Sequence, residues 1–479
     1  METILWHDYE TFGANPTLDR PSQFAAIRTN HALEIVEDPV MFYCKPSLDV
    51  LPSIDACLVT GITPQEATEK GLSEPEFIKR VHAEFIRPGT CGAGYNSIRF
   101  DDEVTRHTLY RNFYDPYARE WQNGNSRWDI IDLVRATFAL RPEGIRWPET
   151  EEGVPSFRLE LLTDANNLDH GAAHDALSDV YATIAMARLI KDRQPKLYHY
   201  FWSRRTKNEV AKLLDLNTKK PVLHVSSKIP ASRACTSVVM PFLQHPVNSN
   251  GVICIDLTVD PETWVDLSVE EWHQRLYKKA EDMAESETRL PLKTVHLNRA
   301  PVIAPISLLE GVSNPRVSID IDACEAHWLG LLGRHDLRDK LKALFEMPYE
   351  SDGQKKDVDA SLYEGFISRN DRDICNQLIN SDLSGMARHN FSFSDSRLNE
   401  LFFRYKARHA PEALSGEERA IWHEEIKTKY FTADDNNKSL FDEYQSDLSA
   451  RQSGECSVRD QHIFEKLEQW TIDFQKRFF

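Results

Sequence analysis

The first stretch of alternating side chains, Thr3-Ile4-Leu5-Trp6-His7-Asp8-Tyr9-Glu10, reads as a β-strand, and Cys91-Gly92-Ala93-Gly94-Tyr95-Asn96 reads as another that leads into a helical run from Asp101. Strand-like and helix-like stretches alternate over residues 1–193, which predicts an α/β domain there. It closes with Asp175 to Arg193, where alanines and aliphatics recur at helical spacing and Pro195 ends the pattern. Over 196–350 the pattern turns to short β-rich runs, Pro221 to Val225, Gly251 to Ile255 and Thr294 to Leu297, separated by Pro, Asn and Ser. A small β barrel or sandwich with added helices is expected. Over 358–479 apolar residues return at helical spacing, as in Leu398, Leu401, Phe402 and Tyr405, or Ile463, Phe464, Leu467 and Trp470, so the last domain reads as all-helical. The polar stretch Ser351 to Asp357 is the best linker candidate.

Composition adds limits. A chain of 479 residues exceeds what one core usually serves, so two or three domains are expected. The apolar fraction of 41% and aromatic fraction of 10% belong to a folded globular protein. No run of 18 apolar residues occurs and the first residues lack the charged and apolar regions of a signal peptide, so a cytoplasmic protein with no membrane partner is expected. The eight cysteines form no CxxC pair and no cluster spaced for zinc, and they read as reduced, mostly buried small hydrophobes. A net charge of −18 argues against a basic coat for duplex DNA but leaves room for a local basic groove, because an acidic exterior repels stray nucleic acid elsewhere.

Three places carry candidate chemistry. Asp8 and Glu10 sit two apart on a strand, so both carboxylates point to one face and can share a metal. Hard divalent cations prefer oxygen ligands, and two of them roughly 4 Å apart serve phosphodiester hydrolysis. The same spacing also fits a solvated strand face. Asp101, Asp102 and Glu103 open a helix, where acids ordinarily cap and complement the dipole, and only one need face a metal. In His170-Gly171-Ala172-Ala173-His174-Asp175-Ala176-Leu177-Ser178-Asp179 a histidine precedes an acid by five residues. Five residues along a helix turn through about 140°, so the two converge only if the histidine lies on the preceding loop, a break that Asp175 supplies as N-cap. Spacing fits His174 with Asp179 and His170 with Asp175 equally. An imidazole titrates near neutral pH and suits a base that deprotonates an attacking water.

In this order the elements resemble the DEDDh family of 3′ to 5′ exonucleases, with DxE on the first strand, an Asp in the middle and H-x4-D on the last helix. The resemblance implies an RNase H-like mixed sheet, Asp8, Glu10, Asp101 and Asp179 as metal carboxylates, and His174 as general base beside Glu10. It implies two Mg²⁺ ions per site, with Mn²⁺ as a substitute. The runs His7 to Gly13, Asp19 to Thr29, Tyr95 to Arg106 and Pro155 to Glu160 look like the bacterial exonuclease I branch of that family, densely over 1–193 and more loosely beyond. That branch implies an exonuclease domain, an SH3-like β-rich domain and a helical domain in a C-shaped molecule. Its expected reaction is removal of 5′-mononucleotides from single-stranded DNA, in DNA repair and recombination.

From Tyr95 to Arg141 seven arginines interleave with Tyr110, Phe113, Tyr114, Tyr117, Trp121 and Trp128, and seven acids balance them. Cations for phosphates and rings for bases are what a single strand requires, although an aromatic helical hairpin with solvated arginines has the same composition. By similarity to exonuclease I, Arg158 contacts the terminal nucleotide and Arg106, Tyr117, Trp121 and Arg135 lie along the DNA path. Phe12, two residues past Glu10, fits either the terminal nucleotide or the core. The same resemblance implies a pocket for the acidic tail of single-stranded DNA-binding protein at Arg141, Tyr200 and Lys220, with Pro305 where that pocket would carry a glutamine. A monomer is expected. Two rival readings are an exoribonuclease of the same family, which the roughly 290 residues beyond the nuclease domain disfavour, and a non-catalytic single-strand-binding protein on the same fold, which would typically have lost a metal carboxylate.

Overall fold

The computed structural model describes residues 2–168, 175–278, 282–283, 287, 289–312, 314–347, 356–381, 391–434 and 438–479. The chain forms two compact units that do not follow chain order. One comprises Met1–Ser126, Gly171–Tyr181 and Lys355–Phe479, the other Arg127–His170 and Ala182–Gln354. Residues 351–355 of the linker candidate lie outside the described residues.

In the first unit the sheet order is β3-β2-β1-β4, with β1 Thr3–Thr11, β2 Pro21–Thr29, β3 Val40–Tyr43 and β4 Thr90–Gly94; β5, Ser126–Asp129, begins at the unit's edge. β1 pairs antiparallel with β2 and parallel with β4, which makes the sheet mixed. Side chains alternate along β1. Leu5 and Tyr9 join a core with Phe24 and with Phe77, Ile78, Val81 and Phe85, the apolar stripe of the Glu74–Phe85 helix. Asp8 and Glu10 fall on the opposite face.

The β4 chain reverses through Gly94, where a Cβ would lie 3.0 Å from the His7 carbonyl and 2.7 Å from Ser97 Cβ. Only a glycine lets the backbone approach β1 this closely. Asn96 follows with φ of 60°, and the turn delivers the chain to the Asp101–Arg111 helix. The last helix of the sequence pattern runs over Ala176–Arg193, and Pro195 both ends it and opens the next, Pro195–Ser203, at the first helical position.

The second unit contains an antiparallel sheet of β6 Val222–Val225, β7 Thr236–Gln244, β8 Gly251–Asp256, β9 Leu292–His296 and β10 Val302–Pro305, in the order β10-β6-β7-β8-β9. Sequence pattern identifies β6, β8 and β9. It passes over β7, where the register shifts between Pro241 and Leu243, because a strand proline at a bulge interrupts the alternation that pattern reading depends on.

Beyond residue 355 the first unit is helical, with its helices capped by Ser415, Ser439 and Ser457. Leu398, Leu401, Phe402 and Tyr405 are buried as their spacing predicts, and they share a core with Tyr110 and Phe113 of the amino-terminal region. Ile463, Phe464 and Leu467 likewise pack with Phe12, Ile54 and Cys57. Charge reinforces these contacts. Asp359 accepts hydrogen bonds from Arg20 at 2.7 Å and from both Nη atoms of Arg408 at 3.0 and 2.7 Å, and Arg408 also binds Asp49 at 2.9 Å. Burial works to raise the Asp359 pKa, but the arginines overcome it and hold the carboxyl well below its usual range. Asp49 and Glu74, also buried against arginines, are pushed down to about 2.

Replacing Asp359 by Asn removes the carboxylate that Arg20, Arg404 and Arg408 share, leaving the buried network one negative charge short, and should destabilise the protein by about 3 kcal/mol. Because the carboxyl pKa values are depressed in the folded state, their stabilisation is complete above the unfolded value of roughly 4 and disappears as pH falls towards 2. Thermal melts of the wild type and the Asp359→Asn variant should therefore differ most near neutral pH and draw closer as pH falls below the unfolded carboxyl value; an unchanged melting temperature in the variant at neutral pH would show that the network contributes nothing.

Candidate active site

The even positions of β1 and the first turn of the Ala176–Arg193 helix bring Asp8, Glu10 and Asp179 together, each with a carboxylate oxygen within 4.8 Å of the others. Asp101 stands beside them. Its Oδ1 accepts the Tyr9 amide N–H at 2.9 Å, which fixes it against β1 between the two acids of that strand. The two neighbouring acids point elsewhere: Asp102 binds Arg119 at 2.6 Å, and Glu103 binds Arg106 at 2.8 Å. One of the three helix-opening acids thus faces the cluster, and local pattern alone does not say which.

The electrostatics of the cluster are unfavourable as it stands. Burial, then Asp101, Glu10, Asp179 and Asp175, raise the Asp8 pKa well above the carboxylate range. Burial, then Asp179, Asp101 and Asp175, push Glu10 up to about 9. Four acids in a desolvated nest destabilise one another's charged forms, and a divalent cation would reverse that. An all-carboxylate donor set suits a hard cation, so the residues fit a metal of the Mg²⁺ class.

Asp175, the other acid of the histidine motif, is occupied as a cap. Its Oδ2 accepts from Ser178 N–H at 3.3 Å and from the Ser178 hydroxyl at 3.0 Å, and its Oδ1 accepts from Gln23 Nε2 at 3.3 Å. Asp179, one turn further on, is the acid that reaches the cluster. His170 and His174 lie outside the described residues.

The residues placed along the DNA path by resemblance occupy different settings. Trp121 is 65% exposed, and the Arg158 side chain is 70% exposed beside Glu160. Arg106, only 4% exposed, is a buried hub: Glu120 takes two of its N–H groups at 2.7 and 2.8 Å, and Glu103 and the Tyr363 hydroxyl share a third nitrogen. Tyr117 lies under that guanidinium, with its ring centre 5.4 Å away. Arg135 bonds Asp132 at 2.6 Å and faces the Phe157 ring across a cavity of about 360 Å³ lined by Ser227, Lys228 and Cys235. Phe12 is core, 5% exposed among Ile54, Leu448 and Phe464. Of the partner-pocket residues, Arg141 donates to the Leu308 carbonyl at 3.2 Å, Tyr200 carries the Arg204 guanidinium 4.0 Å from its ring centre, and Lys220 is exposed.

Some residues of the site carry no motif. Arg119 pairs with Asp102 in the interior and covers the Phe85 ring at 4.5 Å, while Thr105 Oγ1 lies 3.1 Å from the Tyr9 hydroxyl. Gln23 on β2 pairs with Glu10 on β1. Strand register would have flagged Gln23, had the β1–β2 pairing been known; the Arg119 pair has no local signal.

Known proteins match along nearly the whole chain. Residues 5–187 match the family described as Exonuclease, 205–347 the Exonuclease I SH3-like domain and 356–474 the Exonuclease I C-terminal domain. Exodeoxyribonuclease I of Haemophilus influenzae is 46% identical over 87% of this chain and 88% of its own length, and that of Escherichia coli is 45% identical over 88% and 89%. The crystal structure of E. coli exonuclease I with a dA16 oligonucleotide superposes with a TM-score of 0.94 at 41% identity, covering 99% of this chain and 100% of that one. Two further structures, the zinc-bound form of an E. coli exonuclease I complex with single-stranded DNA and a complex of single-stranded DNA-binding protein and exonuclease I with an inhibitor, give TM-scores of 0.92 and 0.90 at 42% and 41% identity, each covering 99% of this chain and 100% of that one. With the acidic cluster, the mixed sheet and all three characteristic domains present, the chain belongs to the exonuclease I family, the 3′ to 5′ exodeoxyribonucleases of single-stranded DNA.

Proposed function

We propose that the chain releases 5′-mononucleotides from the 3′ end of single-stranded DNA at the Asp8, Glu10, Asp101 and Asp179 cluster, with Mg²⁺ as the cellular metal and Mn²⁺ as a substitute. The observation that carries this reading is the convergence of Asp8, Glu10 and Asp179 within 4.8 Å, with Asp101 bonded to the strand between the first two. Bound there, two divalent cations would neutralise the scissile phosphate and acidify water. The protein's own contribution is rigid placement. Asp8 and Glu10 are held by strand register, Asp101 by the Tyr9 N–H and Asp179 by a capped helix, so no carboxylate has to reorganise as the reaction begins. His174, five residues before Asp179, takes the proton of the attacking water and is neutral in the form that does so.

For the strand itself, exposed Trp121 offers a stacking face and exposed Arg158 a phosphate contact near the terminal nucleotide. Arg106 acts through the residues it orders, and Arg135 from the rim of the Phe157 cavity. Arg141, Tyr200 and Lys220 receive the acidic tail of single-stranded DNA-binding protein, a reading supported by the solved complex of that protein with a related exonuclease I. Among the described residues no helix is long and apolar enough to cross a membrane. All eight cysteines are free and seven are buried, which suits the reducing cytoplasm as the working compartment.

A 5′-labelled single strand should shorten from its 3′ end only when Mg²⁺ or Mn²⁺ is present, and a blocked 3′ end should protect it; digestion of the blocked strand at the same rate would rule out the assigned polarity. A matched RNA oligomer should be degraded far more slowly.

Asp8→Asn should lower kcat by more than about 100-fold, the scale expected for loss of one electrostatic stabiliser at a reacting centre. By relieving like-charge repulsion it should also stabilise the metal-free protein by about 0.5–2 kcal/mol. Single-turnover kinetics and metal-free melts test both halves. His174→Ala should slow turnover by roughly 10²- to 10⁴-fold while leaving DNA affinity intact, and turnover near the wild-type rate would remove His174 from the mechanism.

A further inference from the structure

Gln23 is 1% exposed on β2, and its backbone lies directly across the ladder from Glu10. A primary amide that deep in a sheet must have both ends satisfied. Both ends reach the same place. The Gln23 Oε1 accepts the backbone N–H of Ala176 at 3.1 Å, and its Nε2 donates to Asp175 Oδ1 at 3.3 Å, so one side chain holds the first helical amide and the capping carboxylate together. Nε2 also lies 3.3 Å from Met41 Sδ on β3.

This arrangement does something an ordinary cap does not. Asp175 already caps the helix through Ser178, and Gln23 accepts the further N–H of Ala176. What Gln23 adds is attachment of that start to the sheet, at the register where Glu10 projects from β1. Asp179 follows one turn later, with its amide bonded to the Asp175 carbonyl at 3.1 Å. The distance between Glu10 and Asp179 is therefore set through a short chain of contacts: β1 to β2, the Gln23 amide, the helix start, then one helical turn.

The repulsion within the cluster gives this attachment a load to bear. Asp179 brings a carboxylate oxygen within 4.8 Å of those of Glu10 and Asp8. Left to itself, a helix start bearing two acids would move away from a strand bearing two more. An uncharged amide that donates to one carboxylate and accepts from the adjacent N–H resists that movement without neutralising any metal ligand. A lysine in its place would also hold Asp175, but it would bring a cation into the nest that a metal needs to enter.

We propose that Gln23 is a positioning residue for the active site, clasping the first turn of the Ala176–Arg193 helix to the sheet so that Asp179 stays in metal-binding range of Asp8 and Glu10. The proposal rests on the metal-site reading above. It does not require Gln23 to touch metal or DNA.

Gln23→Met keeps the length and buried volume of the side chain while removing both hydrogen bonds, and Gln23→Asn keeps the amide but cannot span the gap. In the intact chain, calorimetric titration with Mn²⁺ in the absence of DNA should show affinity reduced about tenfold in both variants, the lower end of what loss of an outer-shell contact costs a metal site. Turnover of a single-stranded oligonucleotide should fall by roughly 10- to 100-fold in kcat, with KM within about twofold of wild type, because the strand is gripped by other residues. Mn²⁺ affinity and kcat both unchanged in Gln23→Met would overturn the proposal, and so would a lowered melting temperature with Mn²⁺ affinity unchanged, which would assign Gln23 to the core alone. Asp179→Asn, run in parallel, separates the two levels: if that variant binds Mn²⁺ and turns over normally, the metal-site reading fails, whereas if it is impaired and Gln23→Met is not, only the clasp fails.

Discussion

The constraint on which the rest of the first unit depends is the mutual repulsion of carboxylates gathered in a desolvated nest. Asp8 and Glu10 are raised in pKa by burial and by each of their acidic neighbours, so the fold works against its own site whenever no cation is bound. At an effective dielectric near 20, two unit charges about 4 Å apart repel by roughly 4 kcal/mol, enough to move any loosely held side chain. Each acid is accordingly tied to something rigid. β1 holds two, the Tyr9 N–H holds the third, and a capped helix docked by Gln23 holds the fourth. Behind the strand the Asp102–Arg119 pair and the Thr105–Tyr9 contact fix the helix that begins with Asp101, again without placing a positive charge among the ligands.

The same unit uses the opposite strategy away from the site. Around Asp359, charge is buried in balanced form, with Arg20, Arg404 and Arg408 on one carboxylate and Asp49 and Glu74 completing the neighbourhood. These partners come from residues 20–74 and 359–408, so the network joins the carboxyl-terminal helices to the amino-terminal sheet region of their own unit. Buried ion pairs of this kind add little net stability over an apolar core, and removing one partner is costly because it leaves charge buried without compensation. The apolar contacts of Phe12 with Phe464 and of Phe113 with Phe402 supply the burial.

What sequence pattern reveals follows from the range of the interaction concerned. The shared face of Asp8 and Glu10 is legible because it depends only on the two-residue period of a strand. Leu398, Leu401, Phe402 and Tyr405 are legible because a helix repeats every 3.6 residues. Asp101 could not be told from Asp102 and Glu103 locally, since the Tyr9 N–H that distinguishes it lies 92 residues away. Spacing alone left Asp175 and Asp179 open, and the choice of Asp179 came from the family resemblance; in the structure Asp175 caps the helix and Asp179 lies with Asp8 and Glu10. Arg106 shows the limit from the other side. An arginine among aromatics has the composition of a DNA contact, but Glu120 and Tyr363, 14 and 257 residues distant, make it a buried hub. Phe12 likewise belongs to the core because of Phe464, which no local window contains.

A chain of net charge −18 that degrades a polyanion faces one electrostatic problem twice, once within the carboxylate nest and once between the nest and the phosphate it must admit. Placing lysines or arginines among Asp8, Glu10, Asp101 and Asp179 would relieve the first, but it would fill the space a divalent cation needs and spoil the all-oxygen donor set. Leaving the nest uncompensated keeps its carboxylates crowded together and open to a divalent cation. On the proposed metal-site reading, a cation that satisfied the acids would also make the site attractive to a backbone phosphate. The remaining grip on the strand can come from surfaces that tolerate a negative background, such as the exposed face of Trp121, where stacking against a base costs nothing in net charge. Rigid acids and a neutral clasp are therefore two expressions of one requirement, that positive charge enter this site only as the metal.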